Sequence, residues 1–171
     1  MDSGDQDRRR NRGRRAAAAS LASLAALAVA SSASAGTLRR VTLTPAEHVF
    51  LKQYKALIPN LDRASSAVIS AVKHAGNDTD AQVVTIFTAV AKQWASATKP
   101  LFALSAPAPV ASIFATITRE VPRVEADLLT IANTGRTHNG KAATKAGGKI
   151  AIDFNALGVA VNQMKKKLGL P

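Results

Sequence analysis

Apolar side chains recur every three or four residues in four separate stretches of this 171-residue chain, and that spacing limits the fold more than any other feature. Side chains three and four apart share one face of an α-helix, so each stretch predicts an amphipathic helix with one face to bury. The first seam is Ala46, Phe50, Tyr54, Leu57, Leu61, Ala64, Val68, Ala71 and Ala75, closed by Gly76-Asn77. The second is Val83, Phe87, Val90, Trp94, Ala97, Leu101 and Leu104. A third runs Val110, Phe114, Ile117, Val121, Val124, Leu128 and Ile131, and Gly135 reads as its stop. The fourth is Ile150, Phe154, Leu157, Val161, Met164 and Leu168. No stretch alternates with the two-residue period of a strand.

Helix starts are written beside two of these seams. Thr44-Pro45-Ala46-Glu47 supplies an N-cap, a proline at the first helical position and a glutamate that can reach back to the cap. Thr79-Asp80-Ala81-Gln82 repeats the device. Prolines at 107 and 109 mark a turn, whereas Pro59, Pro100 and Pro122 fall inside seams and predict kinked or split helices. The segment 135–148 (GRTHNGKAATKAGG) is polar, basic and glycine-rich and reads as a long loop before the last helix, with part of it able to be helical. The expected architecture is all-α: a four-helix up-down-up-down bundle over 45–171, behind an extended leader over 36–44. Many alanines on the seams imply close helix approach.

The first 35 residues follow a different logic. Arginines at 8, 9, 10, 12, 14 and 15 precede an uncharged apolar run over 16–30, and Ala33-Ser34-Ala35 offers the small-x-small site, Ala33 and Ala35, that a signal peptidase needs to cleave after Ala35. Export to the cell surface, periplasm or medium is therefore expected. An uncleaved membrane anchor over 16–35 is the alternative, although that run is rich in Ala and Ser and barely spans a bilayer. Two arginine pairs leave the twin-arginine route open. There is no cysteine, which excludes disulfides, thiolate metal sites and cysteine nucleophiles.

Lys and Arg exceed Asp and Glu by 23 to 11, a net charge of +12. Without the six arginines and three aspartates of the first segment the balance is 17 to 8. Such a surface is drawn to polyanions: an anionic cell-surface polymer, anionic lipid or nucleic acid. Aromatics make up only 4% of the chain, too few to stack on bases, so sequence-specific nucleic-acid reading is not expected. The densest basic area is Arg136, Lys141, Lys145 and Lys149, the candidate polyanion-binding residues. Lys165, Lys166 and Lys167 fit the negative end of the last helix's dipole without a ligand.

Catalytic chemistry finds no motif. His48, His74 and His138 fall in three segments, none with a ligand at i+3 or i+4, and there is no Glu-x-x-His, Gly-x-Ser-x-Gly or phosphate-binding glycine loop. Asp80 reads as helix-start chemistry, and Glu120 and Asp127 stand two turns apart beside the third seam. Trp94 is expected in the core with its indole N–H on a polar partner. The chain is thus expected to be a non-enzymatic binding protein without cofactor or metal. Two alternatives remain: a carrier of a small apolar ligand, or a small enzyme, with its pocket between kinked helices, and a membrane-surface-active helical protein.

Overall fold

The computed structural model describes residues 43–170, so the expected signal segment 1–35, with Ala33 and Ala35, and most of the leader 36–44 lie outside the described residues. Four α-helices carry the chain: α1 (Pro45–His74), α2 (Asp80–Thr98), α3 (Ala111–Arg136) and α4 (Gly140–Lys167). Short 3₁₀ turns, Lys99–Ala103 and Ala108–Val110, link α2 to α3, and no strand occurs among the described residues.

Both threonine caps close as their sequence implies. The Thr44 hydroxyl accepts from the Glu47 N–H at 3.3 Å, while the Glu47 carboxylate accepts from the Thr44 N–H at 2.6 Å. At α2 the Thr79 hydroxyl accepts from the Gln82 N–H and the Gln82 side chain accepts from the Thr79 N–H, at 3.3 and 2.8 Å. Each box satisfies two of the backbone donors that a helix start leaves open. The hydrogen bond to the Thr44 backbone also holds the Glu47 carboxyl below its ordinary pKa.

The seams meet in one core. Phe50, Tyr54, Phe87, Trp94, Ile117, Leu128, Ile150 and Met164 are buried, and alanines 64, 91, 132 and 160 fill the places where a larger side chain would hold helices apart. Each full burial of a Leu, Ile or Phe side chain contributes about 1.5–3 kcal/mol. Phe50 stacks on Tyr54 and meets Phe114 edge to face, with ring centroids 5.3 Å apart in the second pair, which joins the start of α1 to the start of α3. The Trp94 indole N–H donates to the Val121 carbonyl at 3.0 Å, so the only tryptophan is both packed and satisfied. Ala46 lies outside the core and is exposed, and the seam of α1 begins at Phe50.

Successive helices make the main packing: α1 on α2, α2 on α3, α3 on α4. Asp80 at the start of α2 lies against Gly135 near the end of α3, and Trp94 meets Val121, so these two helices run antiparallel. Helices α3 and α4 form the next hairpin, for Asp127 pairs with Lys149 across a turn of only three residues, 137–139.

Two expectations change here. The segment 135–148 is not a long loop: α3 runs through Gly135 to Arg136, and α4 begins at Gly140. Gly135 is buried inside α3, and the position takes a glycine because a Cβ there would stand 2.8 Å from the Asp80 carbonyl oxygen and 3.0 Å from Val84 Cγ2. Its glycine serves a helix crossing, not a stop. Pro100 does split its seam, since α2 ends at Thr98 and a 3₁₀ turn takes over. Pro59 and Pro122 instead sit on exposed faces within continuous helices, where each deprives a carbonyl four residues earlier of its N–H partner.

Candidate anion-binding surface

The turn between α3 and α4 is short because its polar atoms are satisfied locally. Asn139 caps α4, its side-chain oxygen accepting from the Ala142 N–H at 3.0 Å, while its own N–H donates to the Thr134 carbonyl at 3.1 Å. His138 carries the turn with φ +50°. For a residue with a Cβ this costs about 1–2 kcal/mol. Its Nδ1 lies 2.6 Å from Asp80 Oδ2, tying the turn to the first residue of α2. Asp80, whose sequence position reads as helix-start chemistry, thus has a second task.

The candidate residues leave from this turn. Arg136 is the last residue of α3, and Lys141 and Lys145 occupy the first two turns of α4; all three are exposed. Among the described residues none of the three forms an ion pair. No acid occupies the first turn of α4. The N-terminal end of a helix carries about half a positive charge, so cations placed there raise a potential that an arriving anion lowers.

Lys149 stands apart from them. It lies on α4, not in a loop, and its Nζ donates to Asp127 Oδ1 at 2.7 Å and to Asp153 Oδ2 at 3.1 Å. Those two hydrogen bonds push the ammonium above its ordinary pKa. The Asp127 carboxyl is also pushed up, by burial first, with the Lys149 hydrogen bond opposing. Its side chain is 5% exposed and Oδ2 has no hydrogen-bond partner, so Lys149 is the cation that makes this buried carboxylate tolerable. The basic cluster read from sequence therefore divides into three unpaired cations and one structural lysine.

The other charged features are internal. Glu120, 4% exposed at its side chain, accepts from Arg119 at 2.9 Å and from Arg123 at 3.0 and 3.1 Å, so Glu120 holds two cations of its own helix whereas Asp127 holds one of α4. His48 and His74 lie on exposed helix faces, and His74 Nδ1 approaches the Ser70 carbonyl at 2.8 Å. Among the described residues, no group of three or more His, Cys, Asp or Glu is placed to hold a metal ion, and no helix is long and apolar enough to cross a membrane.

An open groove of about 460 Å³ runs between the first half of α3 and the second half of α4, with Ile113 and Thr116 on one wall and Ala156, Val159 and Gln163 on the other. Val159, on that wall, is 49% exposed, and Ile152, two turns earlier on α4, is 69% exposed. Both were missed in the sequence because they fall off the α4 seam. Their signal is a separation of seven residues, two helical turns. Compared with protein-family models, with curated proteins and with solved structures, the chain finds no match in any of the three.

Proposed function

We propose that this chain is an exported, non-enzymatic binding protein that attaches to an anionic polymer of the cell envelope through the α3–α4 turn. In this reading the signal segment is removed after Ala35, and 45–171 acts as an up-down-up-down bundle bent at Pro59 and Pro122. One observation carries the proposal: Arg136, Lys141 and Lys145 are exposed, lack carboxylate partners among the described residues, and gather where α4 presents its positive end. Phosphate or carboxylate groups on a polymer fit such a surface, and the scarcity of exposed aromatics disfavours base stacking.

The test is retention of the purified protein on an immobilised polyanion at low and near-physiological salt, with an Arg136→Ala/Lys141→Ala/Lys145→Ala variant beside it. Three contacts give a log–log salt slope of roughly −2 to −3, and the variant is expected to lose most retention while keeping its helical content. Retention unchanged by the triple substitution would reject this surface.

The groove between α3 and α4 supports a second reading, carriage of a small apolar ligand, because its volume lies in the range of about 300–1,000 Å³ typical of ligand sites. Solvent extraction of the purified protein followed by mass spectrometry tests it: a stoichiometric apolar compound supports carriage and its absence opposes it.

A further inference from the structure

The outer face of α4 carries a pattern that a soluble polymer leaves unexplained. Lys141, Lys145, Ile152, Val159 and Lys166 follow one another at intervals of four, seven, seven and seven residues. With 3.6 residues per turn those intervals place all five on one side of the helix. All five are exposed, Ile152 at 69% and Val159 at 49%. The stripe is basic at both ends and aliphatic in the middle, over about 38 Å at 1.5 Å per residue.

The charge is one-sided. The only acid of α4, Asp153, is bound to Lys149. On α3, Asp127 is held by the same lysine and Glu120 by Arg119 and Arg123, whose side chains remain 61% and 52% exposed. Three of the four acids of α3 and α4 are thus paired and the fourth, Glu125, is half-buried, while Lys141, Lys145 and Lys166 are exposed and without ion pairs among the described residues. A polyanion in water recruits the lysines and gains nothing from Ile152 and Val159. A bilayer with anionic headgroups recruits both, the lysines at the phosphate level and the aliphatic side chains just beneath it.

We propose that α4 lies flat on an anionic membrane leaflet, with Ile152 and Val159 inserted at the headgroup boundary and Lys141, Lys145 and Lys166 on lipid phosphates. This rests on the anion-binding reading above and puts an anionic leaflet in the place of the polymer. The bundle stays folded, because the buried seam of α4 keeps its place in the core and only exposed side chains, with Val159 at the rim of the α3–α4 groove, meet lipid.

Because the chain has no cysteine, single cysteines can be placed and labelled with an environment-sensitive fluorophore without background. Full-length Ile152→Cys and Val159→Cys chains, with Ala89→Cys on the exposed side of α2 as reference, are mixed with vesicles of phosphatidylcholine or of phosphatidylcholine with phosphatidylglycerol. Site-specific labels report what α4 touches even if another segment holds the chain to the vesicle. The expected result is a blue shift and quenching by lipid-attached nitroxide at positions 152 and 159, on anionic vesicles only, with neither at 89. Each of Lys141→Gln, Lys145→Gln and Lys166→Gln is expected to lower the labelled α4 signal's apparent partition roughly fivefold, with circular dichroism unchanged. If the labels at 152 and 159 stay as wet as the one at 89, the membrane inference is overturned. Polyanion retention lost with Arg136, Lys141 and Lys145 would then still uphold the broader reading, and loss of neither would reject both.

Discussion

Tyr54 and Lys149 show how single side chains in this fold couple burial to charge. Tyr54 is the only tyrosine in the chain; burial, and then the negative charge of Asp62, push its phenol from 10 up to about 12. A folded pKa above the unfolded one means that the unfolded chain releases the proton first as pH rises. The associated stability is therefore complete below pH 10 and is lost as pH climbs through about 12, an amount of about 2–3 kcal/mol. Absorbance at 295 nm should titrate near 12 or together with unfolding, and Tyr54→Phe should blunt the alkaline loss; a midpoint near 10 in the folded protein would contradict this account. Lys149 works in the opposite sense. Lys149→Met leaves Asp127 buried without its cation and should cost about 1–3 kcal/mol at neutral pH, toward the low end because the lysine is half exposed. The Asp127 pKa is raised, so protonation favours the folded state, and the penalty should shrink as pH falls through that raised value. Urea unfolding at pH 7 and pH 4 measures both. Lys141→Ala and Lys145→Ala should leave stability within about 0.5 kcal/mol, the usual result at exposed positions.

At the scale of elements, α3 and α4 contain glycines that look alike in sequence and behave oppositely in the fold. Gly135→Ala places a Cβ 2.8 Å from backbone of the α2 start, so the crossing must open. The gain of about 1 kcal/mol in helix propensity is outweighed by overpacking of about 1–3 kcal/mol or more, and the variant should melt lower. Gly148 sits inside α4 with nothing within 4 Å of an added Cβ, so Gly148→Ala should raise stability by up to about 1 kcal/mol. Thermal unfolding of the pair checks both signs. The same contrast explains what the sequence discloses. Threonine caps and three-four seams are local chemistry, and they locate α1, the start of α2 and the body of α3 closely, while the second seam runs on to Leu104, past the end of α2 at Thr98. Gly135 and the segment 135–148 were misread because a glycine that permits a crossing and one that ends a helix differ only in a neighbour 55 residues away, Asp80. The basic cluster was legible as composition, but the removal of Lys149 from it required knowing that Asp127 is buried on the facing helix. Ile152 and Val159 were hidden by the stronger seam beside them.

For the molecule as a whole, the order of packing sets which parts open first. Helices α2 and α3 each have helical neighbours on two sides, whereas α1 leans mainly on α2 and α4 mainly on α3. Two buried ties hold the central pair: the Trp94 indole on the Val121 carbonyl, and the Gly135 crossing against Asp80. On α1 the second half beyond Pro59 contributes small core residues, Ala64, Val68 and Ala71, while the aromatic anchors Phe50 and Tyr54 lie near its start. Opening free energies follow the apolar area each unit exposes when it leaves. The expected hierarchy is therefore slowest exchange in α2 and α3 between Phe87 and Trp94 and between Ile117 and Ile131. Intermediate protection is expected in α4 and the first half of α1, and the fastest helical exchange between Pro59 and His74. Native-state hydrogen exchange read by mass spectrometry resolves these segments. Net charge adds a salt dependence, because +12 on one chain repels itself and is screened over about 10 Å at 0.1 M ionic strength. Raising salt from about 0.01 to 0.15 M should slow exchange most around α4, whose first turns hold unpaired lysines. Anionic vesicles should protect the same helix at low salt and lose that effect at high salt, so the two forms of protection run in opposite directions along one axis.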